Sequence, residues 1–163
     1  MITKERIVDL LNYDPLSGIF IWKRINDEKF HRNGKIAGRI NKAGRIQIKV
    51  DGTTYSAHRL VFLIEDGKFP ELDVDHIDGN PLNNSRSNLR LATKQQNRYN
   101  TKLAKNNKLG VKGVNMTPAG KFIAYLSIFG KQSYLGTYKT IEEATSVVES
   151  NRNKYHGVFT RHE

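Results

Sequence analysis

The chain has 163 residues, a formal net charge of +11 and no cysteine. This length allows one ordinary domain or two small ones, and the 37% hydrophobic content is enough for modest cores only. The lack of cysteine excludes disulfides and thiolate metal sites, so a metal would need oxygen or imidazole ligands, which favours a hard cation such as Mg²⁺. Residues 1–13 carry no long apolar run, so we expect neither a signal peptide nor a membrane span, and an intracellular protein.

The basic residues are unevenly distributed along the chain. The 63 residues between Asp78 and Glu142 contain eleven Lys or Arg and no Asp or Glu. A solvated surface usually mixes charges of both signs, so this segment indicates a polyanionic partner, most often nucleic acid. A basic surface kept only for solubility is the alternative interpretation.

The N-terminal part predicts helices and a small sheet. Thr3 is expected to cap a helix that carries Ile7, Leu10 and Leu11 on one face and ends near residues 13–15. Strands of one small sheet with one apolar face are predicted at residues 19–22, 45–50 and 53–55, with a hairpin turn at Asp51-Gly52.

A second, buried helix is predicted over residues 58–64, closed by Gly67. His58 stands at its start. In this position a hydrogen-bonded structural or DNA-facing histidine is favoured over a metal ligand.

The asparagine-rich stretch that follows predicts a strand, a loop, a strand and a helix. The strands are expected at residues 72–77 and 89–92, and the loop contains the turn residues Gly79-Asn80-Pro81. Thr93 is expected to cap the helix, with Gln96 completing a capping box.

Residues suited to phosphodiester hydrolysis are concentrated in this stretch. Such cleavage needs a base to activate water, a cation to offset charge, and a positioned phosphate. His76 suits the base, because imidazole titrates near neutrality. Asp75 and the amide oxygen of Asn97 suit a Mg²⁺ ion, and Asn88 could accept from an imidazole N–H. By residue type alone, a polar turn with a satisfied histidine explains the pattern equally well.

The proposed site depends on two geometric conditions. Neighbouring strand residues point to opposite faces, so Asp75 and His76 can share a site only if the strand ends or twists there. Helix periodicity places Thr93, Asn97 and Asn100 on one face, from which Asn97 can point back toward that strand.

The stretch resembles the HNH endonuclease family in its phage and intron-encoded, homing-like branch. The matching residues are Asp75-His76, Ile77-Asp78-Gly79-Asn80, Asn83-Asn84, Ser87-Asn88-Leu89-Arg90 and Asn97, and upstream Tyr13-Asp14-Pro15, Gly18-Ile19-Phe20, Trp22-Lys23-Arg24, Ala37-Gly38 and Ala57-His58-Arg59-Leu60. The resemblance implies a ββα-metal (His-Me finger) fold, with His76 as general base, Asp75 and Asn97 as metal ligands, and Asn88 orienting the loop or the histidine. Asn97 stands where many members have histidine. We therefore expect Mg²⁺, with Mn²⁺ as an alternative, and no zinc.

Beyond a basic linker at residues 101–109, a second unit is predicted from residue 110. Residues 121–128 alternate, with Phe122, Ala124, Leu126 and Ile128 on one face, and residues 132–138 form a further strand. Thr140 and Glu143 form the capping box of a closing helix. The unit predicts three strands and one helix with one open, basic and aromatic face.

This second unit resembles the plant ethylene-response-factor (apetala-type) DNA-binding domain, which also occurs fused to phage HNH nucleases. The resemblance is carried by Lys112-Gly113-Val114, Gly120-Lys121-Phe122-Ile123-Ala124, Tyr134-Leu135-Gly136-Thr137-Tyr138 and Thr140-Ile141-Glu142-Glu143-Ala144. It implies that the open face contacts DNA through Lys112, Asn115, Lys121, Tyr125, Ser127, Gln132 and Tyr134. From the central segment, Arg90, Lys94 and Arg98 are also expected to contact DNA.

We therefore expect an α+β protein with an HNH nuclease domain at residues 1–100, whose catalytic core is residues 72–100, and an apetala-type domain at residues 110–163. The expected function is metal-dependent hydrolysis of double-stranded DNA by a monomer, with a dimer left open and no membrane partner. The alternatives are a non-catalytic, sequence-specific DNA-binding protein and an RNA-binding or RNA-cleaving protein.

Overall fold

The computed structural model describes residues 2–23, 32–104 and 106–161 and divides into two compact units, Met1–Ala92 and Thr93–Glu163. The first unit thus ends before the domain boundary expected at residue 100. Arg24 of the N-terminal resemblance and Lys105 of the basic linker lie outside the described residues. In the described part of the chain, no helix combines the length and apolar character needed to cross a membrane.

In residues 2–23 and 32–92, the first unit has two α-helices and seven strands. Their bounds are α1 Lys4–Leu10, β1 Leu11–Asp14, β2 Ile19–Trp22, β3 Arg39–Ile40, β4 Ile46–Val50, β5 Thr53–Ser56, α2 Ala57–Asp66, β6 Asp73–His76 and β7 Leu89–Ala92. The strands form three antiparallel sheets, β1-β2, β3-β4-β5 and β6-β7.

Two N-terminal expectations are wrong in detail. Helix α1 is capped by Thr3 as expected, but it ends at Leu10, and Leu11 begins a strand that pairs with Trp22. Leu11 fits the helical period and is buried in the strand as well, so periodicity alone could not decide between them. The expected single sheet is two sheets, because β2 pairs with β1 whereas β4 pairs with β3 and β5.

The β4-β5 hairpin and helix α2 confirm their predictions. Asp51 and Gly52 both have positive φ, 46° and 82°, as a two-residue turn of the primed type requires. On β4, Ile48 and Val50 are buried and Lys49 between them is exposed. Helix α2 presents a buried face to this core and ends at Gly67, whose φ is 77°.

The second unit contains two helices and one three-stranded sheet. Their bounds are α3 Lys94–Tyr99, β8 Val114–Met116, β9 Phe122–Ile128, β10 Lys131–Tyr138 and α4 Ile141–His156. The strand order is β10-β9-β8, all antiparallel. Both predicted capping boxes are present, Thr93 with Gln96 on α3 and Thr140 with Glu143 on α4.

A small core joins this sheet to α4. Val114, Ala124, Ala144 and Val148 are fully buried, with Phe122, Leu135 and Tyr138 among the residues packed around them. The unit therefore has one covered and one open sheet face, as predicted.

Candidate functional site

Asp75 and His76 lie at the end of β6, which meets the first geometric condition. The strand ends at His76, and both side chains are buried, with 5% and 7% of their surfaces exposed. The N–H of Ile77 donates to the carbonyl of Asn88 at 2.9 Å, and the N–H of Gly79 donates to the carbonyl of His76 at 2.8 Å. The chain therefore turns into the loop immediately after the histidine.

Asp75 is held by Arg90, its direct neighbour across the hairpin. The two residues are opposite one another in the β6-β7 register. Nε and Nη2 of Arg90 approach the same carboxylate oxygen of Asp75, at 2.8 and 2.7 Å. Arg90 was expected to contact DNA, but here its guanidinium fixes and compensates a buried carboxylate.

His76 is a buried imidazole beside an amide oxygen. Its Nε2 lies 3.3 Å from Oδ1 of Asn84, which is itself only 1% exposed. Because an amide oxygen can only accept, this contact places the proton of a neutral ring on Nε2. Burial lowers the pKa of His76 below its ordinary value, while the hydrogen bond that the ring donates to Asn84 opposes that shift. The ring is therefore neutral near pH 7.

His58 packs edge-on against His76, with their ring centroids 5.4 Å apart. Burial, together with the smaller effects of the neighbouring His76, Arg45 and Arg59, lowers the pKa of His58 to about 4. A neutral, desolvated ring in contact with the core agrees with the structural interpretation of this histidine.

The side chain of Asn88 hydrogen-bonds to the loop and not to the histidine. Its amide nitrogen donates to Oδ1 of Asp78 and to the carbonyl of Asn83, both at 2.9 Å, and its amide oxygen accepts from the N–H of Asp78 at 3.0 Å. All of these bonds remain within the loop, and the group beside the imidazole is Asn84 instead. Asn88 therefore ties the two ends of the loop together.

Asp78 is the hub of this loop. Burial opposes its ionisation, but hydrogen bonds from Asn80, Asn83 and Asn88 outweigh burial and lower its pKa. The carboxylate therefore remains ionised and the loop stays closed around it at neutral pH.

The N-terminal hairpin supports the same loop from outside. The hydroxyl of Tyr13 donates to the carbonyl of Asn84 at 2.9 Å, and burial raises the pKa of Tyr13 to about 12, so the donor is retained. The N–H of Arg86 donates to the carbonyl of Pro15 at 3.0 Å. A Cβ on Gly18, whose φ is 74°, would lie 2.3 Å from backbone atoms of Asn84 and Ser85. The hairpin turn thus touches the loop backbone directly.

Asn97 lies on α3 and is half-buried in the second compact unit. Its role as a second metal ligand stays a prediction. Among the described residues, no group of three or more His, Asp or Glu side chains could hold a metal. A hard cation at Asp75 would therefore need amide, water and phosphate oxygen as its remaining ligands, which Mg²⁺ accepts.

The residues expected to contact DNA are only partly on one face. In the sheet register, Tyr134 is opposite Tyr125 and Gln132 is opposite Ser127, while Asn115 is opposite Ile123. These side chains therefore share the open sheet face.

The predicted basic contacts are more scattered. Lys94, Arg98 and Lys121 are exposed. Lys112 was expected to contact DNA from the open face, but its ammonium donates to the backbone carbonyls of Thr101 and Arg161.

The residue types did not indicate that Asn84 and Tyr13 contribute to the candidate site, Asn84 through its contact with His76 and Tyr13 through its hydrogen bond to Asn84. Both stand in segments that carry the HNH resemblance, yet in a run of asparagines the residue types do not reveal which amide faces the histidine. The Asp75–Arg90 pair follows from the register of the β6-β7 hairpin, which the sequence alone did not predict.

A family model and one viral relative name the same family. The family model described as HNH endonuclease matches residues 55–99. The uncharacterized HNH endonuclease L560 of Acanthamoeba polyphaga mimivirus is 53% identical over 60 residues, which are 36% of this chain and 32% of that protein. The chain thus spans about a third of the length of this viral relative.

Two further matches cover most of the compared proteins. Protein 3.8 of Escherichia phage T7 is 33% identical over 106 residues, which are 64% of this chain and 87% of that protein. A structure solved to describe DNA binding and cleavage by the HNH homing endonuclease I-HmuI is also similar. The alignment covers 86% of this chain and 78% of that chain, with 24% sequence identity and a TM-score of 0.42. The family match includes β6, the asparagine loop and β7, where His76, Asp75 and Asp78 are found. The chain belongs to the HNH endonuclease family.

Proposed function

We propose that the protein is a DNA endonuclease that hydrolyses phosphodiester bonds, with His76 as general base and one divalent metal ion held by Asp75. The observation that carries this proposal is the buried pair at the end of β6. It combines a neutral imidazole, oriented by Asn84, with a carboxylate on the adjacent residue. A purely structural turn has no need to bury both groups together.

The imidazole supplies the base. With the proton on Nε2 facing Asn84, the lone pair is on Nδ1, and this atom takes the proton of the attacking water. Water oxygen then bonds to phosphorus as the bond to the 3′ oxygen breaks, and the leaving 3′ oxygen takes a proton from solvent water, which gives a 5′-phosphate and a 3′-hydroxyl. Because burial lowers the pKa of His76, the base form is populated at neutral pH.

The metal would be Mg²⁺ or Mn²⁺, since the available ligands are oxygen atoms. When bound, it offsets negative charge at the scissile phosphate and the leaving oxygen. Asp75 is prepared for this task by Arg90, which holds the carboxylate in one orientation from across the hairpin. Asn88 and Asp78 keep the loop in the shape that presents His76.

We propose further that the second unit reads DNA as an apetala-type domain and that the enzyme acts as a phage homing-type endonuclease. The open sheet face carries Tyr125 and Tyr134 as a perpendicular aromatic pair, with ring centroids 6.1 Å apart. Polar side chains surround them, and a sheet of this width fits a DNA major groove.

Plasmid nicking with and without Mg²⁺ tests the catalytic proposal. The variant His76→Ala should lose about 10²–10⁴-fold in cleavage rate, because the general base is removed, while duplex binding changes little. Binding of duplex without cleavage by the wild type in Mg²⁺ and in Mn²⁺ would favour the non-catalytic DNA-binding alternative. Equal cleavage by the variant and the wild type would contradict the assignment of His76.

Competition between duplex DNA and structured RNA tests the substrate. We expect duplex DNA to displace labelled RNA at stoichiometric concentrations. The reverse order of preference would support the RNA-directed alternative.

A further inference from the structure

A cavity of about 400 Å³ lies within the second unit, beside the edge of β9 that β8 leaves uncovered. Its lining combines cationic, neutral polar and aromatic side chains and contains no Asp or Glu. One wall is the stacked pair of Tyr99 and His156, whose ring centroids are 3.5 Å apart. His156 is anchored there by the hydrogen bond between its Nε2 and the carbonyl of Ser127, at 2.8 Å.

Arg152 is the unusual member of this lining. It lies on α4 in a buried row with Ala144, Val148 and His156, and only 7% of its surface is exposed. Within residues 93–104 and 106–161, its guanidinium makes no hydrogen bond or ion pair with the protein. The charge of Glu149, one turn earlier, favours the charged guanidinium, whereas burial lowers the pKa of Arg152.

Among the described residues, only Nε of Arg161 is a buried side-chain nitrogen or oxygen without a hydrogen-bond partner, so the guanidinium nitrogens of Arg152 are accessible from the cavity that this residue lines. The guanidinium stays protonated at any ordinary pH. Its planar fork of donors matches a phosphate or carboxylate, so an anion in the cavity would pair with it.

The rest of the cavity suits an anion as well. Arg98 and Lys112 add positive charge to the lining, and Thr101, Ser127 and Gln132 add polar groups. The backbone is fitted closely around Arg152, since a Cβ on Gly113 would lie 3.4 Å from its Nη2 and 2.4 Å from the carbonyl oxygen of Tyr125. The close approach of the Tyr125 carbonyl therefore excludes a larger residue at position 113, beside Arg152.

We propose that this cavity binds a phosphoryl oxyanion, with Arg152 as its principal ligand. Phosphate is favoured over carboxylate because the unit carries twelve Lys and Arg against four Glu and shares the cavity wall with its open sheet face, through Tyr125, Ser127 and Gln132. The bound group is a phosphate of the DNA strand that this face engages. This last step rests on the proposed DNA binding, but the oxyanion site itself does not.

Calorimetric titration of the full chain with inorganic phosphate, in chloride buffer without divalent metal, tests the site. The wild type should show saturable binding at one site, and Arg152→Met should weaken it at least tenfold. Lys154→Met removes one charge from an exposed position of the same helix, outside the cavity, and should leave the affinity within about twofold, because exposed charges are screened. No saturable binding by the wild type, or equal losses in the two variants, would overturn the proposal.

A second variant covers the case in which Arg152→Met fails to fold. Gln132→Glu places a carboxylate on the cavity wall at an exposed position, where folding is insensitive to the change. It should also weaken phosphate binding at least tenfold. Unchanged affinity in this variant would reject the cavity as the binding site.

The source of the phosphate is tested by competition. Phosphorus resonance of bound inorganic phosphate should be displaced by a short duplex in the metal-free wild type, and retention of the phosphate in the presence of saturating duplex would reject the DNA strand as its source. The nicking assay is independent of these titrations. Absence of nicking would therefore reject the nuclease proposal without affecting the oxyanion site.

Discussion

The two compact units differ in net charge and in whether their buried charged side chains are paired. Residues 1–92 contain fifteen Lys and Arg against twelve Asp and Glu, a net charge of +3, whereas residues 93–163 contain twelve against four, a net charge of +8. In the first unit, buried charges have partners within the protein, as Arg90 has in Asp75. In the second unit, the buried Arg152 has no hydrogen-bond or ion-pair partner among the described residues.

The two units also differ in the size of their hydrophobic cores. Among the residues that the structure describes, fifteen buried hydrophobic residues form the core cluster of the first unit and four form that of the second. A unit with a large core can hold a polar loop in one shape, which a catalytic site requires. A unit with a small core and a surplus of charge depends more on what it binds, because a ligand that binds only the folded state stabilises it.

The largest effect expected on stability tests the partnered charge of the first unit. Arg90→Met leaves the buried carboxylate of Asp75 without its guanidinium and should lower the unfolding free energy by about 3–5 kcal/mol. Fluorescence of Trp22, the single tryptophan and a buried residue of the first unit, follows this transition during urea denaturation.

Two control variants bracket that measurement. Arg6→Met breaks an ion pair with Asp51 whose side chains are both 50% exposed, and should cost at most about 1 kcal/mol. Arg152→Met removes a charge without a partner and should leave the second unit's stability unchanged or higher, as followed by amide hydrogen exchange. Similar losses for Arg90→Met and Arg6→Met would erase the distinction between buried and exposed pairs.

A somewhat smaller effect is expected from acid. The pKa of His58 is about 4 in the folded protein and near 6.5 when unfolded, so the unfolded chain binds more protons between these values. Stability is fully present above pH 6.5 and should fall by on the order of 3 kcal/mol as the pH drops toward 4.

Urea denaturation from pH 7 to pH 4, followed by Trp22 fluorescence, measures this loss. His58→Gln removes the titrating group and should reduce the pH dependence of the first unit, although His76 still contributes in the same direction. Parallel pH profiles for the variant and the wild type would show that His58 is not desolvated as described.

The smallest effect concerns the open face of the second unit. Tyr134→Ala should weaken duplex binding by about tenfold, since loss of an aromatic contact to a base costs about 1–3 kcal/mol. Met116→Ala is the matched control, because Met116 is 61% exposed and Tyr134 62%, but Met116 is opposite Phe122 on the other sheet face. Equal losses in gel-shift titrations of the two variants would reject the open face as the DNA contact.

Local patterns predicted most of the elements, but not their tertiary partners. The Asp51-Gly52 turn, the two capping boxes and the alternation of β9 depend on neighbouring residues, and the structure agrees with all of them. Strand β1 was missed because pairing with β2, rather than local preference, decides the fate of Leu11.

In the candidate site, residue types located the loop but not the directions of its side chains. Asn84 and Asn88 are four residues apart in the same polar run, and only the folded loop separates the one beside His76 from the one bound to Asp78. Arg152 had a readable signal, since it continues the four-residue spacing of Ala144 and Val148 into a position where a hydrophobic residue is expected.

The contact between the N-terminal hairpin and the asparagine loop bears on how small this nuclease module can be made. The family-matched segment, residues 55–99, contains the histidine and the loop but excludes Tyr13, Pro15 and Gly18. A minimal enzyme trimmed to that segment would lose a hydroxyl donor, a carbonyl acceptor and a backbone surface that bear on residues 84–86. For protein engineering, the hairpin should therefore be kept together with the family-matched segment, and Gly18 is a position at which a library should hold the residue constant.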